Sequence, residues 1–265
     1  MTHIFKNNIL NKYGLCSDED REKIIIGIES KVYRNVVSRN FREVIRVTDK
    51  ALENLSMKMT PYDICSVVTP YNDEIQEMFG IGTYINASYI PTDLTHYIAC
   101  QFPKKEFIHL FIELITKSNT KLIISLIDCK EYDYLENFKC IDRDVIKDEY
   151  DNDLFFDETY KITEKYFLRR LRFFKWKDFD IPTKSDFLKF YNYFNDIRSE
   201  DTNIIIHCKA GAGRTGAFIF YDILKHEKNV DNFIFTRKFL YLRYKRPRMV
   251  YNDKQLQYIA GFFLK

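Results

Sequence analysis

The stretch that decides the fold is His207-Cys208-Lys209-Ala210-Gly211-Ala212-Gly213-Arg214-Thr215-Gly216. The apolar run at 204–206 directly before it is typical of a short buried strand, and an apolar helical pattern begins near residue 217. The stretch is therefore predicted to be a loop that joins a strand to a helix. Such a loop gathers backbone N–H groups and the positive end of a helix around one point, and it favours the binding of an anion such as phosphate.

Two side chains in this loop predict chemistry as well as binding. Arg214 can fold back over the loop and hold two phosphate oxygens with its planar guanidinium, which a lysine cannot do. A cysteine beside an arginine at a helix N-terminus has its pKa lowered, typically to about 3.5–7.5, so Cys208 is a candidate nucleophile. The alternative is that Cys208 is a buried small apolar residue, as most free cysteines are. The other loop residues expected to contact substrate are Lys209, Ala210, Gly211, Ala212, Gly213 and Gly216.

His207 and Thr215 have supporting roles in this prediction. His207 is expected to orient the loop by hydrogen bonding to the backbone, and Thr215 to donate to the sulfur and assist its departure as a leaving group. No metal or other cofactor is expected, because Arg214 and the backbone amides neutralise the phosphate.

The same ten residues resemble the signature loop of the protein tyrosine phosphatases. The resemblance continues at Tyr84-Ile85-Asn86-Ala87-Ser88-Tyr89-Ile90 and at Tyr97-Ile98-Ala99-Cys100-Gln101, which match strand motifs of that family in the family's order. It runs from about residue 54 to the C-terminus. The ten matching positions of the signature loop argue against the alternative that Cys208 is only a buried core residue.

Two more segments resemble catalytic loops of the family. The stretch Trp176-Lys177-Asp178-Phe179-Asp180-Ile181-Pro182 is similar to the mobile Trp-Pro-Asp loop, which implies that Asp178 is the general acid. Asp180 is a neighbouring carboxylate, but it stands at the family's glycine position. Arg246-Pro247-Arg248-Met249-Val250, followed by Gln255, resembles the loop whose glutamine positions water, which implies that role for Gln255.

The sequence departs from the family pattern in the regions that bind substrate and water. Aligning residues 61–63 with the phosphotyrosine-recognition loop puts Ser56 where a tyrosine walls the pocket and Lys58 where an aspartate fixes the substrate backbone. Tyr251 stands at the first glutamine of the water-positioning loop. Lys177 replaces the proline of the mobile loop and removes a fixed φ angle. The glutamate that braces the signature arginine has no clear counterpart, with Glu131 and Glu136 both nearby.

Composition and pattern predict one domain over residues 1–265, with an α/β or α+β sheet flanked by helices. The resemblance implies that this is a tyrosine-phosphatase-like domain with a central, highly twisted mixed sheet. Residues 1–53 are predicted to be a helical segment packed on it, beginning at Ser17 with an interruption near Gly27. Residues 128–160 are expected to be irregular, with a turn at 148–153. Strands are predicted at 65–69, 84–89, 97–100, 122–127, 166–175 and 203–206, and helices at 107–115, at 187–197 and, two or three of them, between 215 and 264.

The net charge of +3 is too balanced for obligate nucleic-acid binding, and no apolar stretch approaches a membrane span. Six cysteines without paired spacing predict neither a zinc site nor a disulfide framework, and the N-terminus lacks the apolar run of a signal peptide. A reducing, cytoplasmic location is therefore expected, and the oligomeric state stays open. The sequence, rich in Asn, Lys, Ile and Tyr, also resembles viral members of the family, particularly those of polydnaviruses.

The predicted function is hydrolysis of phosphotyrosine in proteins through a cysteinyl-phosphate intermediate on Cys208. Two alternatives stay open. Ser56, Lys58 and Tyr251 are compatible with a catalytically impaired pseudophosphatase that binds and traps phosphoproteins. Lys209, together with Lys58 and Lys177, is compatible with a phosphatase for more anionic substrates such as phosphoinositides.

Overall fold

The computed structural model describes residues 18–52, 73–128, 132–199 and 202–265. A seven-stranded mixed sheet lies at its centre, in the spatial order β1-β2-β7-β3-β6-β5-β4. The strands are β1 Ala87–Pro91, β2 His96–Gln101, β3 Leu122–Ser125, β4 Lys139–Lys147, β5 Asp153–Thr163, β6 Tyr166–Phe173 and β7 Asn203–Cys208. Strands β2, β7, β3 and β6 are parallel neighbours, and both edges of the sheet are antiparallel.

Helices flank this sheet, as the sequence predicts. They are α1 Asp18–Val37, α2 Phe41–Leu52, α3 Asp73–Phe79, α4 Ile108–Lys117, α5 Lys184–Ile197, α6 Gly213–Lys225, α7 Asn232–Lys245 and α8 Asp253–Phe263, with a 3-10 turn at Lys105–Phe107. Three of the later helices begin at side-chain caps, since Thr183, Asp231 and Asn252 each accept a hydrogen bond from the first turn. Three helices lie between residue 213 and the C-terminus, where two or three were expected.

The centre of the sheet explains where the signature loop lies. Every residue of β3 is buried, as expected of a strand covered on both faces, and β7 is buried from Ile204 onward. Cys208 is the last residue of β7 and is paired in register with Gln101, the last residue of β2. The loop after Cys208 therefore leaves the sheet at the carboxyl ends of its parallel strands, where α/β folds commonly bind ligands.

Three expectations for local structure differ from the structure. Residues 132–138 are irregular as expected, but residues 139–160 are not, because β4 and β5 form an antiparallel hairpin there. Nearly every residue of β4 is exposed, so this charged edge strand lacks the apolar alternation that would reveal it. The turn between the two strands is confirmed, with the Asp148 carboxylate accepting from the N–H groups of Tyr150 and Asn152.

The second wrong expectation concerns the N-terminal helix. Gly27 lies inside α1, and the interruption comes at 38–40, where Arg39 has a φ of 58°. The chain also forms the short helix α3 in a region expected to hold loops and strands. The strand predicted at 65–69 lies outside the described residues.

The described part of residues 1–53 contacts the later helices. Arg243 of α7 donates to the Thr48 hydroxyl at 2.9 Å and to the Asp49 carboxylate at 2.5 Å, and Arg39 donates to the carbonyl of Lys265 at 2.6 Å. A single cluster of buried apolar residues runs from α1 to α8. No helix in the described ranges is long and apolar enough to cross a bilayer.

Candidate active site

The turn of the signature loop depends on Gly211. Its φ is +66°, a conformation that L side chains rarely adopt, and a Cβ there would lie 2.1 Å from the carbonyl oxygen of Cys100. Gly216 is equally confined, because its Cβ would lie 2.2 Å from the backbone nitrogen of Val250. The two glycines therefore let the loop and α6 press against neighbouring backbone.

The carbonyl groups of this loop are bound from outside. The N–H of Phe102 lies 3.1 Å from the carbonyl of Cys208 and 3.2 Å from that of Lys209. The buried Arg246 donates to the carbonyls of Gly211 at 2.7 Å and Ala210 at 3.2 Å. Because the N–H and C=O of a peptide unit point in opposite directions, this pattern leaves the loop amides directed inward, as an anion cradle requires.

Arg246 also joins the signature loop to the first strand motif. The same guanidinium donates to the Asn86 side-chain oxygen at 2.8 Å and to the Ser88 hydroxyl at 3.2 Å. Asn86 in turn donates to Gln101 at 3.3 Å. Three separate sequence motifs thus meet at one buried cation.

Two buried cysteines on neighbouring strands differ in acidity. Burial raises the pKa of Cys100 to about 12. Burial acts in the same direction on Cys208, but the positive charge of Arg214 and hydrogen bonds from Thr215 and Ala212 outweigh it, so the pKa of Cys208 lies below its usual value. This environment favours the thiolate at Cys208 and opposes it at Cys100.

Thr215 and His207 are two buried neighbours of the candidate nucleophile. The Thr215 hydroxyl is fully buried and has no oxygen or nitrogen partner among the described residues, which leaves it to the Cys208 sulfur. The His207 Nε2 atom lies 2.8 Å from the Tyr134 hydroxyl. A backbone contact with Cys208 acts to raise the pKa of the ring, and the expected role of His207 in orienting the loop stays a prediction. Burial and then the charge of Arg170 lower the pKa of His207 to about 3, which keeps the imidazole neutral.

Arg214 connects the signature loop to the loop of residues 176–182. It donates to the Trp176 carbonyl at 2.9 Å and to the Asp178 carboxylate at 3.0 Å. Its Nε–H is buried without a hydrogen-bond partner in the described part of the chain. A buried donor without a partner is costly, and an anion held between Arg214 and the loop amides would satisfy it.

The loop of residues 176–182, which we call the acid loop, also contacts the start of α8. Lys254 pairs with Asp180, and the Asn252 side chain donates to the Phe179 carbonyl at 3.1 Å. The rings of Phe179 and Tyr251 are 5.6 Å apart, edge to face. Tyr251, at the family's first glutamine position, therefore packs against the acid loop.

Asp178 and Asp180 have different surroundings, although they are two residues apart. Asp178 lines the cavity in front of Arg214, whereas Asp180 faces α8. The hydrogen bond from Lys254, followed by the N–H of Ile181, lowers the pKa of Asp180. These contacts stabilise the ionised form of Asp180 and make it a poor proton donor.

Gln255 lies beside the signature loop. Its side chain is buried, and a Cβ on Gly213 would lie 3.0 Å from its Oε1 atom. That oxygen accepts a hydrogen bond from the Tyr251 N–H at 3.1 Å. The structure thus brings Gln255 to the loop, while Ser56, Lys58 and Glu131 lie outside the described residues.

A sequence model of the family described as "Protein-tyrosine phosphatase" matches residues 51–265. The chain belongs to the protein tyrosine phosphatase family. It is 29% identical over 238 residues to receptor-type tyrosine-protein phosphatase epsilon of Rattus norvegicus, which covers 77% of this chain and 32% of that phosphatase. It is 28% identical over 231 residues to tyrosine-protein phosphatase non-receptor type 20 of the same organism, which covers 75% of this chain and 52% of that one. The chain therefore matches only part of each of these phosphatases.

Solved structures of tyrosine phosphatases share the fold. One, described as "Structural basis of PTPN18 fingerprint on distinct HER2 tyrosine phosphorylation sites", superposes with a TM-score of 0.66 at 19% identity and covers 90% of this chain and 97% of its own. Another, of PTPN18 in complex with HER2 phosphopeptides, has a TM-score of 0.65 at 20% identity and covers 89% and 92%. The predicted tyrosine-phosphatase-like domain, with a mixed sheet flanked by helices, is confirmed.

Several residues that build this candidate site were not predicted from the sequence. Arg246 lies in the segment that resembles the water-positioning loop of the family. No local pattern predicts that its side chain is buried or that it binds the signature loop. Tyr134 lies in a stretch that was expected to be irregular. The ion pair of Asp180 and Lys254 joins residues that are 74 positions apart, and no local pattern predicts it.

Proposed function

We propose that the chain hydrolyses phosphotyrosine in proteins through a cysteinyl-phosphate intermediate on Cys208. One observation carries the proposal: Cys208, with its lowered pKa, Arg214 and Asp178 meet at the carboxyl end of the sheet. The family supports the general reaction, which is hydrolysis of a phosphoric monoester.

In the first step, the Cys208 thiolate attacks phosphorus and the bond to the phenolic oxygen breaks. Arg214 and the loop amides hold the charge of the phosphoryl oxygens. Asp178 gives its proton to the leaving phenolate, and it is better placed to do so than Asp180, which is bound to Lys254. In this proposal the phosphate replaces Asp178 as the hydrogen-bond partner of Arg214.

In the second step, water attacks the phosphocysteine and returns the thiolate. The Asp178 carboxylate takes a proton from the water, and the buried Gln255 orients it beside Gly213. The Thr215 hydroxyl donates to the departing sulfur and stabilises its negative charge. This chemistry needs a reduced Cys208, so we propose an intracellular location such as the cytoplasm. A viral origin stays a prediction.

A pseudophosphatase that binds phosphoproteins is the second candidate. It is favoured by Tyr251, whose ring packs on Phe179 at the family's first glutamine position. In that case the phosphoenzyme forms but water is poorly oriented.

Phosphate release from a phosphotyrosine peptide tests both candidates when the first turnover is resolved from the steady state. We expect sustained release that disappears in Cys208→Ser, with Cys140→Ser as the matched control because Cys140 is a free, exposed cysteine of β4. A single burst without turnover would favour the second candidate. No release from wild-type protein would contradict phosphotyrosine hydrolysis.

A further inference from the structure

Arg170 of β6 carries a positive charge inside the core. Its side chain is 0% exposed, and its guanidinium donates to both carboxylate oxygens of Asp133, each at 2.7 Å, and to Glu158 at 2.9 Å. The same group donates to the Tyr160 hydroxyl at 2.7 Å. Desolvation offsets much of the attraction within a buried ion network. The clearest effect of this network is therefore on the positions of its members.

The network extends to Tyr134. The Asp133 carboxylate also accepts from the N–H of Leu135 at 2.9 Å, which fixes the turn around Tyr134. The guanidinium carbon of Arg170 lies 5.3 Å from the centre of the Tyr134 ring, in a cation–π contact. Tyr134 is buried, and its hydroxyl lies 2.8 Å from the Nε2 atom of His207. Arg170 therefore reaches His207 through one buried side chain.

The register of the sheet places Arg170 and His207 on the same face. Arg170 is paired with Ile123 of β3, and Ile123 is paired with Ile205 of β7. His207 lies two residues after Ile205, and successive side chains of a strand alternate between its faces. Arg169, the residue before Arg170 in β6, therefore lies on the opposite face.

The two ring nitrogens of His207 have different neighbours. Nε2 faces the Tyr134 hydroxyl, and a backbone contact with Cys208 acts to raise the pKa of the ring. A backbone group that favours the protonated ring is a carbonyl facing a ring N–H. In a neutral imidazole one nitrogen donates and the other accepts. The Nδ1–H group therefore faces the Cys208 carbonyl, and the Tyr134 hydroxyl donates to Nε2.

The contact with Cys208 lies at the start of the signature loop. Hydrogen bonds from Thr215 and from the backbone of Ala212 stabilise the Cys208 thiolate, and they depend on how the loop is oriented. If the His207 ring turned, the Cys208 peptide would be free to rotate, and the loop amides would stabilise the thiolate less. The other charged or titratable groups around His207 are Asp133, Tyr134, Arg170 and Arg214.

We propose that Arg170 is a positioning residue of the candidate active site, which acts through Tyr134 on His207. It holds the turn that carries Tyr134, and the Tyr134 hydroxyl fixes His207 in the tautomer with the proton on Nδ1. His207 in turn holds the peptide of Cys208. The inference rests on the proposed function, since it concerns the same nucleophile.

Arg169→Gln is the matched control for Arg170→Gln. Arg169 also pairs with a carboxylate, that of Asp157, and lies 3.3 Å from the Tyr193 hydroxyl. These contacts lie on the face of the sheet opposite to His207. Both variants lose an ion pair, and both are expected to have a lower melting temperature. Only Arg170→Gln is expected to change His207.

Nitrogen-15 NMR of the His207 ring tests the tautomer directly. At neutral pH we expect wild-type protein and Arg169→Gln to give one neutral tautomer, with the proton on Nδ1. Arg170→Gln is expected to give a mixture of tautomers, because the turn that carries the Tyr134 hydroxyl is released. Tyr134→Phe removes that hydroxyl alone and should have the same result, so the inference is tested even if Arg170→Gln does not fold. The His207 signals are assigned by their absence in His207→Gln.

The reactivity of Cys208 tests the consequence for the nucleophile. Alkylation by iodoacetate, followed by mass spectrometry of the Cys208 peptide, gives the rate as a function of pH without any turnover. We expect its midpoint to lie at higher pH in Arg170→Gln and Tyr134→Phe than in wild-type protein, and to stay unchanged in Arg169→Gln. In the same two variants kcat/KM for a phosphotyrosine peptide should fall about 10- to 100-fold, because small displacements of catalytic groups are costly.

Three results would overturn the positioning role. An unchanged tautomer and an unchanged alkylation midpoint in Arg170→Gln and Tyr134→Phe would reject it, and turnover by wild-type protein would then leave the proposed function intact. A wild-type His207 with its proton on Nε2 would also reject it. Equal changes in Arg170→Gln and Arg169→Gln would reduce the effect to loss of an ion pair. The expected shifts without phosphate release by wild-type protein would instead keep the positioning role and reject the hydrolysis.

Discussion

The signature loop and the acid loop meet at Arg214, but they are held in different ways. The signature loop is bound by buried groups, with Gly211 against the Cys100 carbonyl and Arg246 on two loop carbonyls. The acid loop is held on its outer side by the pair of Asp180 and Lys254, whose side chains are 41% and 55% exposed. Buried contacts of this kind are costly to break, whereas an exposed ion pair contributes little. We therefore expect the signature loop to stay in place during the proposed reaction and the acid loop to move more easily.

The largest expected effect separates the two carboxylates of the acid loop. Asp178→Asn should lower kcat by roughly 10²- to 10⁴-fold, because an amide cannot protonate the leaving group. The loss of kcat should be larger with phenyl phosphate than with 4-nitrophenyl phosphate, because the leaving group of 4-nitrophenyl phosphate needs less protonation. Asp180→Asn is the matched control, and a loss of kcat equal to that of Asp178→Asn would contradict the assignment.

Gly211→Ala tests the rigidity of the cradle. The new methyl group would overlap the Cys100 carbonyl, so the loop must move, and displaced catalytic groups can cost about 100-fold in rate. We expect that loss in kcat/KM together with a lower melting temperature. Gly27→Ala serves as the control, since a Cβ there meets nothing within 4 Å and alanine is favoured inside α1. Unchanged activity in Gly211→Ala would show that the cradle is not rigid.

Arg246→Lys tests whether one buried cation holds the loop. A lysine cannot reach Gly211, Asn86 and Ser88 together, and we expect the free energy of unfolding to fall by roughly 2 kcal/mol. Urea unfolding measures this change. Arg237→Lys is a suitable comparison, because the Arg237 side chain is 65% exposed and should change stability little. Equal stability of the two variants would show that Arg246 does not hold the signature loop in place.

Lys254→Gln should have the smallest effect. Loss of an exposed ion pair changes the equilibrium between two positions of the acid loop by less than about fivefold. We therefore expect kcat to fall by no more than about fivefold. The only tryptophan of the chain, Trp176, lies in the acid loop and donates to the Asp180 carbonyl at 2.7 Å, so its fluorescence reports on the loop. We expect a changed Trp176 emission in Lys254→Gln and none in Lys238→Gln, where another partly exposed pair, with Glu227, is removed. A change of kcat above tenfold would mean that Lys254 does more than hold the loop.

Patterns that lie within one short segment were predicted well. The apolar runs of β3 and β7 and the glycine-rich stretch after Cys208 led to the strand, loop and helix found in the structure. The charged hairpin of β4 and β5 was missed, because an exposed edge strand takes its conformation from backbone pairing with its neighbour. Residue type alone does not reveal that pairing.

The sequence by itself determined the family, the reactive segment and the residue types that its chemistry needs, because these are properties of contiguous stretches. Only the tertiary structure decided that Arg246 is buried between three motifs and that Asp180 is bound to Lys254. These features depend on contacts between residues far apart in the chain. The sequence gives the charge of each side chain, but tertiary packing decides which partner it contacts and how far it is exposed to water.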